Sequence, residues 1–148
     1  IQSDENAGIF GTSALFYGTD NKNSQYLAKP LEKIEYSFEK SYVSSIHIVF
    51  SSDLERETFE GCRHERNLMT RANKPLNYLN MHMPKTLCKE FKLYGESDGV
   101  QTEILSITNN RKRCYHIKTE CEYDKLTLIP ISVWGDSDSI PVISFDFN

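Results

Sequence analysis

Asn109-Asn-Arg-Lys-Arg-Cys-Tyr-His-Ile-Lys-Thr-Glu-Cys-Glu-Tyr-Asp-Lys-Leu-Thr-Leu-Ile-Pro-Ile-Ser-Val-Trp-Gly135 is the stretch on which the fold turns. It opens on a basic turn, Arg111-Lys112-Arg113, and continues into a strand of alternating character. The Glu-Cys-Glu-Tyr-Asp run then reads as an acidic turn, and a second, apolar strand follows that ends at Trp134. Period-two alternation puts one set of side chains on a core face and the other toward solvent.

The same period recurs outward from this stretch. Ile34, Tyr36 and Phe38 alternate with Lys33, Glu35 and Ser37; Ile46, Ile48 and Phe50 flank His47 and Val49; Phe91 and Leu93 flank Lys92. Leu126 and Leu128 alternate with Lys125 and Thr127, and Ile143, Phe145 and Phe147 alternate with Val142, Ser144 and Asp146. Gly18 to Asn21, Gly95 to Gly99, Asn109-Asn110 and Gly135 to Ser139 carry the residues that tolerate turn geometry. Residues 52–74 are charged and poorly periodic, which predicts a long loop. Short alternating segments separated by such turns predict an all-β fold, an antiparallel β-sandwich or jelly roll.

The chain has 148 residues, one domain's worth, and a domain of that size buries about 68–70% of its unfolded surface. Residues 1–29 are expected to add an N-terminal strand and loop. Lys and Arg number 17 against 21 Asp and Glu, so the net charge is −4 with both signs interspersed. Phosphate binding needs concentrated positive charge, and no nucleic-acid partner is expected. No apolar run approaches the roughly 20 residues of a membrane helix, so no membrane partner is expected either. The chain begins Ile1-Gln2-Ser3 without an initiator Met, the mark of a processed chain or of a piece of a longer protein. Cys62, Cys88, Cys114 and Cys121 form no C-x-x-C pair and read as reduced thiols of a cytoplasmic protein. A Cys114–Cys121 bridge would require the two to face each other across a hairpin.

Catalytic signatures are missing: there is no Gly-rich phosphate cradle, no G-x-S-x-G elbow and no H-E-x-x-H pair. Cys62, His64 and Glu65 supply an incomplete ligand set, and no metal is expected. His47 lies mid-strand, where a half-buried, hydrogen-bonded imidazole is the ordinary outcome. His82, in the Met81-His82-Met83-Pro84 run that follows Tyr78, sits where a loop imidazole can meet ligand hydroxyls. Trp134, the sole tryptophan, either closes one end of the core or offers a stacking face to a sugar or nucleobase.

On residues 30–148 the chain resembles a known family. Val43-Ser-Ser-Ile46-His-Ile48-Val-Phe50, Phe91 to Tyr94, Ile104 to His116, Leu126 to Asp136 and Pro141 to Phe147 follow the strand pattern of discoidin-like domains. These are also called coagulation-factor C-type or galactose-binding-like domains. The Asn110, Arg113 and His116 run and the Pro130-x-x-x-Trp134-Gly135 run are similar, more narrowly, to the accessory C-terminal domain of bacterial FAD-dependent oxidoreductases. The resemblance implies a noncatalytic module with no cofactor of its own, docking on other domains of the same polypeptide where any flavin chemistry would reside. Its alternative is a carbohydrate-binding module of a secreted or surface protein. Trp134, Arg111, Asn110, His82 and Tyr78 are the ligand or partner contacts expected under either reading. Discoidin-like lectins carry an Asp-Gly-rich calcium loop near a Trp, but Asp20 to Tyr26 has Lys22 in its midst, so calcium is not expected.

Overall fold

A computed structural model describes residues 25–52 and 83–148. Within them lie six strands: β1 (Tyr26–Ala28), β2 (Ile34–Phe50), β3 (Cys88–Ser97), β4 (Val100–Ile107), β5 (Cys114–Val133) and β6 (Ile140–Phe147). All pair antiparallel in one sheet of order β1-β6-β2-β5-β3-β4. The 52–74 loop, except for Ser52, and the Gly18–Asn21 turn fall outside the described residues, as do Cys62, His64, Glu65, Tyr78 and His82.

The single sheet becomes a sandwich because its two longest strands fold over. Ile48 of β2 pairs with Phe145 of β6, and twelve extended residues from Tyr36 to Ile48 would span about 40 Å. Yet the rings of Tyr36 and Phe145 stack with centroids 4.9 Å apart, and the Tyr36 hydroxyl donates to the Phe145 carbonyl at 2.8 Å. β5 folds with it. Tyr115 and Pro130 would lie about 50 Å apart on a straight strand. Phe91, paired to Pro130, nevertheless meets the Tyr115 ring edge-on at 5.1 Å. Register shifts in the β2–β5 ladder between Ser37 and Ser41 and between Val43 and Ser45 mark the corner, as strands that pass from one layer to the other require.

The expected acidic turn is therefore not a chain reversal. β5 runs unbroken from Cys114 to Val133; within the Glu-Cys-Glu-Tyr-Asp run Glu120, Cys121 and Glu122 are the exposed outside of the corner and Tyr123 turns into the core, with Glu120 in the left-handed region at φ 52°. The polar run looks like a turn because at the corner, as in a turn, three successive side chains from Glu120 to Glu122 are exposed and the alternation breaks. Cys114 and Cys121 accordingly sit on one strand rather than across a hairpin, and both are free thiols.

Between the layers lies a core of Tyr36, Phe50, Phe91, Phe145, Ile46, Ile48, Leu93, Leu126 and Leu128, all fully buried. β6 departs from the expected alternation. Val142, not only Phe145, joins this core, because a register shift between Val49 and Phe50 leaves Ile143 as an extra residue in the ladder. The bulge lets residues three apart face the same way. At the far end of β3, Asp98 (φ 53°) and Gly99 (φ 79°) form the two-residue loop to β4, between the paired Ser97 and Val100. Both positive φ values are those of a type I′ hairpin, which matches strand twist. Gly95 lies under the Tyr123 ring, where an added Cβ would come within 2.3 Å of it.

Candidate ligand site

Asn110 organises the opposite end of the sandwich. It follows Asn109, in the left-handed region at φ 55°, and is only 2% exposed. Its backbone N–H donates to the Lys89 carbonyl at 2.8 Å, anchoring the turn to β3. Its side-chain amide donates to the carbonyls of Cys88 and Lys112, both at 2.8 Å. Oδ1 accepts from the Lys112 N–H and the Tyr115 hydroxyl, each at 2.7 Å. A buried amide with both donors and its acceptor used is satisfied and rigid.

The remaining group of Asn110, its carbonyl, accepts from the Trp134 indole Nε1 at 2.6 Å. Trp134 is thereby fixed at the end of β5, half-buried, with the Lys89 ammonium 5.4 Å from its ring centroid, a cation–π distance. Its backbone N–H donates to the Leu87 carbonyl at 3.1 Å, and the Gly135 N–H donates to the Lys85 carbonyl at 2.8 Å. A Cβ at Gly135 would stand 2.9 Å from that same carbonyl oxygen, so this close approach needs glycine. The two segments zipped in this way, 83–87 and 134–136, border a cleft of about 380 Å³ lined by Met83, Lys85, Trp134, Gly135 and Asp136. That volume lies in the range of small-ligand clefts, roughly 300–1,000 Å³.

Of the residues singled out from sequence, the structure brings Trp134 and Asn110 into direct contact, with Arg111 exposed on the adjoining turn. His82 and Tyr78 lie outside the described residues. The indole N–H is spent inside the protein, and so is the side chain of Asn110, an expected ligand or partner contact. Lys85, Lys89 and Asp136 escaped sequence reading, since nothing in a lone Lys or a Ser-Asp turn marks it as facing an indole. His47 is held on the outer face by its fold neighbours, Nδ1 3.6 Å from Asp146 Oδ1 and the ring 4.4 Å from that of His116. Cys88 is buried, and desolvation pushes its thiol up to about 12, so it is no nucleophile at neutral pH. Among the described residues no three His, Cys, Asp or Glu side chains are placed to hold a metal ion.

Solved structures with this architecture are numerous. The module GH31 CBM32-2 bound to GalNAc superposes with a TM-score of 0.66 at 11% identity, over 99% of this chain and 93% of its own. The family 32 carbohydrate-binding module from Streptococcus pneumoniae EndoD gives 0.60 at 12% identity, over 100% and 89%. The family 32 module from C. perfringens NanJ in complex with galactose gives 0.57 at 12%, over 99% and 88%. The fold is discoidin-like, that is, galactose-binding-like. By sequence, no family model and no curated protein matches the chain. Identities this low carry the galactose-binding-like fold and nothing finer, and none of these three neighbours bears on the flavoprotein resemblance.

Proposed function

We propose that this chain is a noncatalytic carbohydrate-binding module that takes one end of a glycan into the Trp134 cleft. The observation that carries the reading is the fixed indole walling a cleft whose other lining includes Met83, Lys85 and Asp136. An aromatic wall with a few polar groups suits a sugar, whose C–H face is apolar and whose hydroxyls need donors and acceptors. In this reading the C–H face rests on Trp134 and Met83, Asp136 accepts from hydroxyls, and Lys85 and Arg111 donate to them. Asn110 acts as a positioning residue that holds the indole. His82 and Tyr78 stay in the proposal as contacts on the strength of the sequence alone. Support comes from the fold, since neighbours that superpose on nearly the whole chain hold GalNAc or galactose.

This reading takes the place of docking on a flavin-carrying portion, for which no neighbour cited above speaks. A glycan ligand also suits a protein that works at a cell surface or outside the cell rather than in the cytoplasm. Trp134 is the only indole, so its fluorescence reports on the cleft directly. Titration with galactose and with GalNAc is expected to give a saturable change with a dissociation constant near millimolar, about −4 kcal/mol, as shallow sites do. Asp136→Ala is expected to abolish that change. A flat titration with both sugars and with a wider panel of monosaccharides overturns the proposal.

A further inference from the structure

The chain carries net negative charge, yet the surroundings of its one tryptophan are cationic. Lys85 lines the cleft and the Lys89 ammonium lies over the indole. Arg111 and Lys112 follow the residue whose carbonyl accepts the indole N–H, and both are exposed. Asp136 is the one carboxylate in the cleft lining. Of the other described lysines, Lys40, Lys92 and Lys125 are each matched to a carboxylate within 4.0 Å, whereas Lys29, Lys33 and Lys118 are not, so what sets the tryptophan end apart is the gathering of its cations and not their lack of partners alone. Among the described residues Lys85, Lys89, Arg111 and Lys112 make no such pair. Four like charges drawn to one end without partners repel one another, a cost that an anionic ligand would relieve.

We infer that the glycan taken by this cleft is acidic, its carboxylate or sulfate ester recognised by the cluster of Lys85, Lys89, Arg111 and Lys112. The inference rests on the carbohydrate reading above and adds the substrate class to it. The guanidinium of Arg111 can grip such a group through two parallel N–H donors, and the lysines act as point charges. Asp136 is then left to accept from hydroxyls, at a distance from the acidic substituent.

The test is a set of Trp134 fluorescence titrations at low ionic strength with galactose, galacturonic acid, galactose 6-sulfate and inorganic sulfate. The two acidic sugars are expected to bind about tenfold more tightly than galactose, and that advantage should shrink in about 0.5 M salt as screening shortens the reach of the charges. Inorganic sulfate alone should leave the indole signal unchanged. The Lys85→Gln, Lys89→Gln double variant, shown to be folded by circular dichroism, should bring the ratio of acidic to neutral affinity toward one. Equal binding of galactose and the acidic sugars overturns this inference and leaves the carbohydrate reading standing. Failure of every sugar to bind overturns both. A response to inorganic sulfate as strong as that to galactose 6-sulfate also overturns both, because the site would then bind an anion without reading a sugar.

Discussion

The two ends of β3 hold polar residues in opposite ways. At Cys88 the buried amide of Asn110 is saturated, and it alone links β3, the 110–113 turn, Tyr115 and Trp134. At Ser97 and the nearby corner they are charged and wet. Lys40 pairs with Asp98 and reaches Glu122 at 4.0 Å, and the Asp98 N–H donates to Asp124 Oδ2 at 2.8 Å. Hydrogen bonding to Asp98 raises the Lys40 pKa, but both side chains are exposed, and exposed pairs contribute little. The difference teaches where to expect rigidity. A satisfied buried amide rigidifies what it touches, and what Asn110 touches is the wall of the candidate site.

The largest expected effect breaks the buried end. Asn110→Ala would strand the Cys88 carbonyl, the Lys112 N–H and carbonyl and the Tyr115 hydroxyl, for a loss of about 2–4 kcal/mol in chemical denaturation. Because Trp134 hangs on the same turn, its emission should move to the red in the folded variant. A stability within about 0.5 kcal/mol of the parent would show that the turn finds other partners.

A smaller effect is expected at the corner, and from packing rather than charge. Gly95→Ala pushes a methyl into the Tyr123 ring, which must swing away from a site where it is 8% exposed, at a cost of about 1–3 kcal/mol. Combining it with Tyr123→Ala should recover part of that loss, since the clash partner is gone. Additive losses in the pair would sink the clash explanation. The smallest effect is Lys40→Ala, expected to leave the melting temperature unchanged at physiological salt. A clear fall would mean that the exposed ion pairs hold the corner, and the contrast between the two ends would fail.

Much of the fold can be read from residue order. Ile34, Tyr36, Ile46, Ile48, Phe50, Phe91, Leu93, Leu126 and Leu128 alternate as expected and are buried as expected, because period-two patterning is a local consequence of the pleat. The turn expected over Gly95 to Gly99 narrows to Asp98-Gly99, because Gly95 to Ser97 continue the β3 ladder and the two positive φ values fall on the last pair alone. Trp134 and Asn110 stood out individually as a lone indole at a strand end and a turn amide.

What tertiary structure alone decided is how these local pieces meet. Whether the Glu-Cys-Glu-Tyr-Asp run reverses the chain or bends it depends on β2 bending beside it, a pairing between residues some eighty positions apart that no window of sequence contains. Val142 enters the core through a bulge set by its partner strand, not by its own neighbours. Lys85, Lys89 and Asp136 come to the indole through the 83–87 segment zipped to 134–135 and through β3, so their common location is a property of register. The sequence by itself determined which residues form strands and which face inward, since both follow from side-chain chemistry along a pleat. The folding of one sheet into two layers, and with it the cleft at one end, arises from contacts between distant strands.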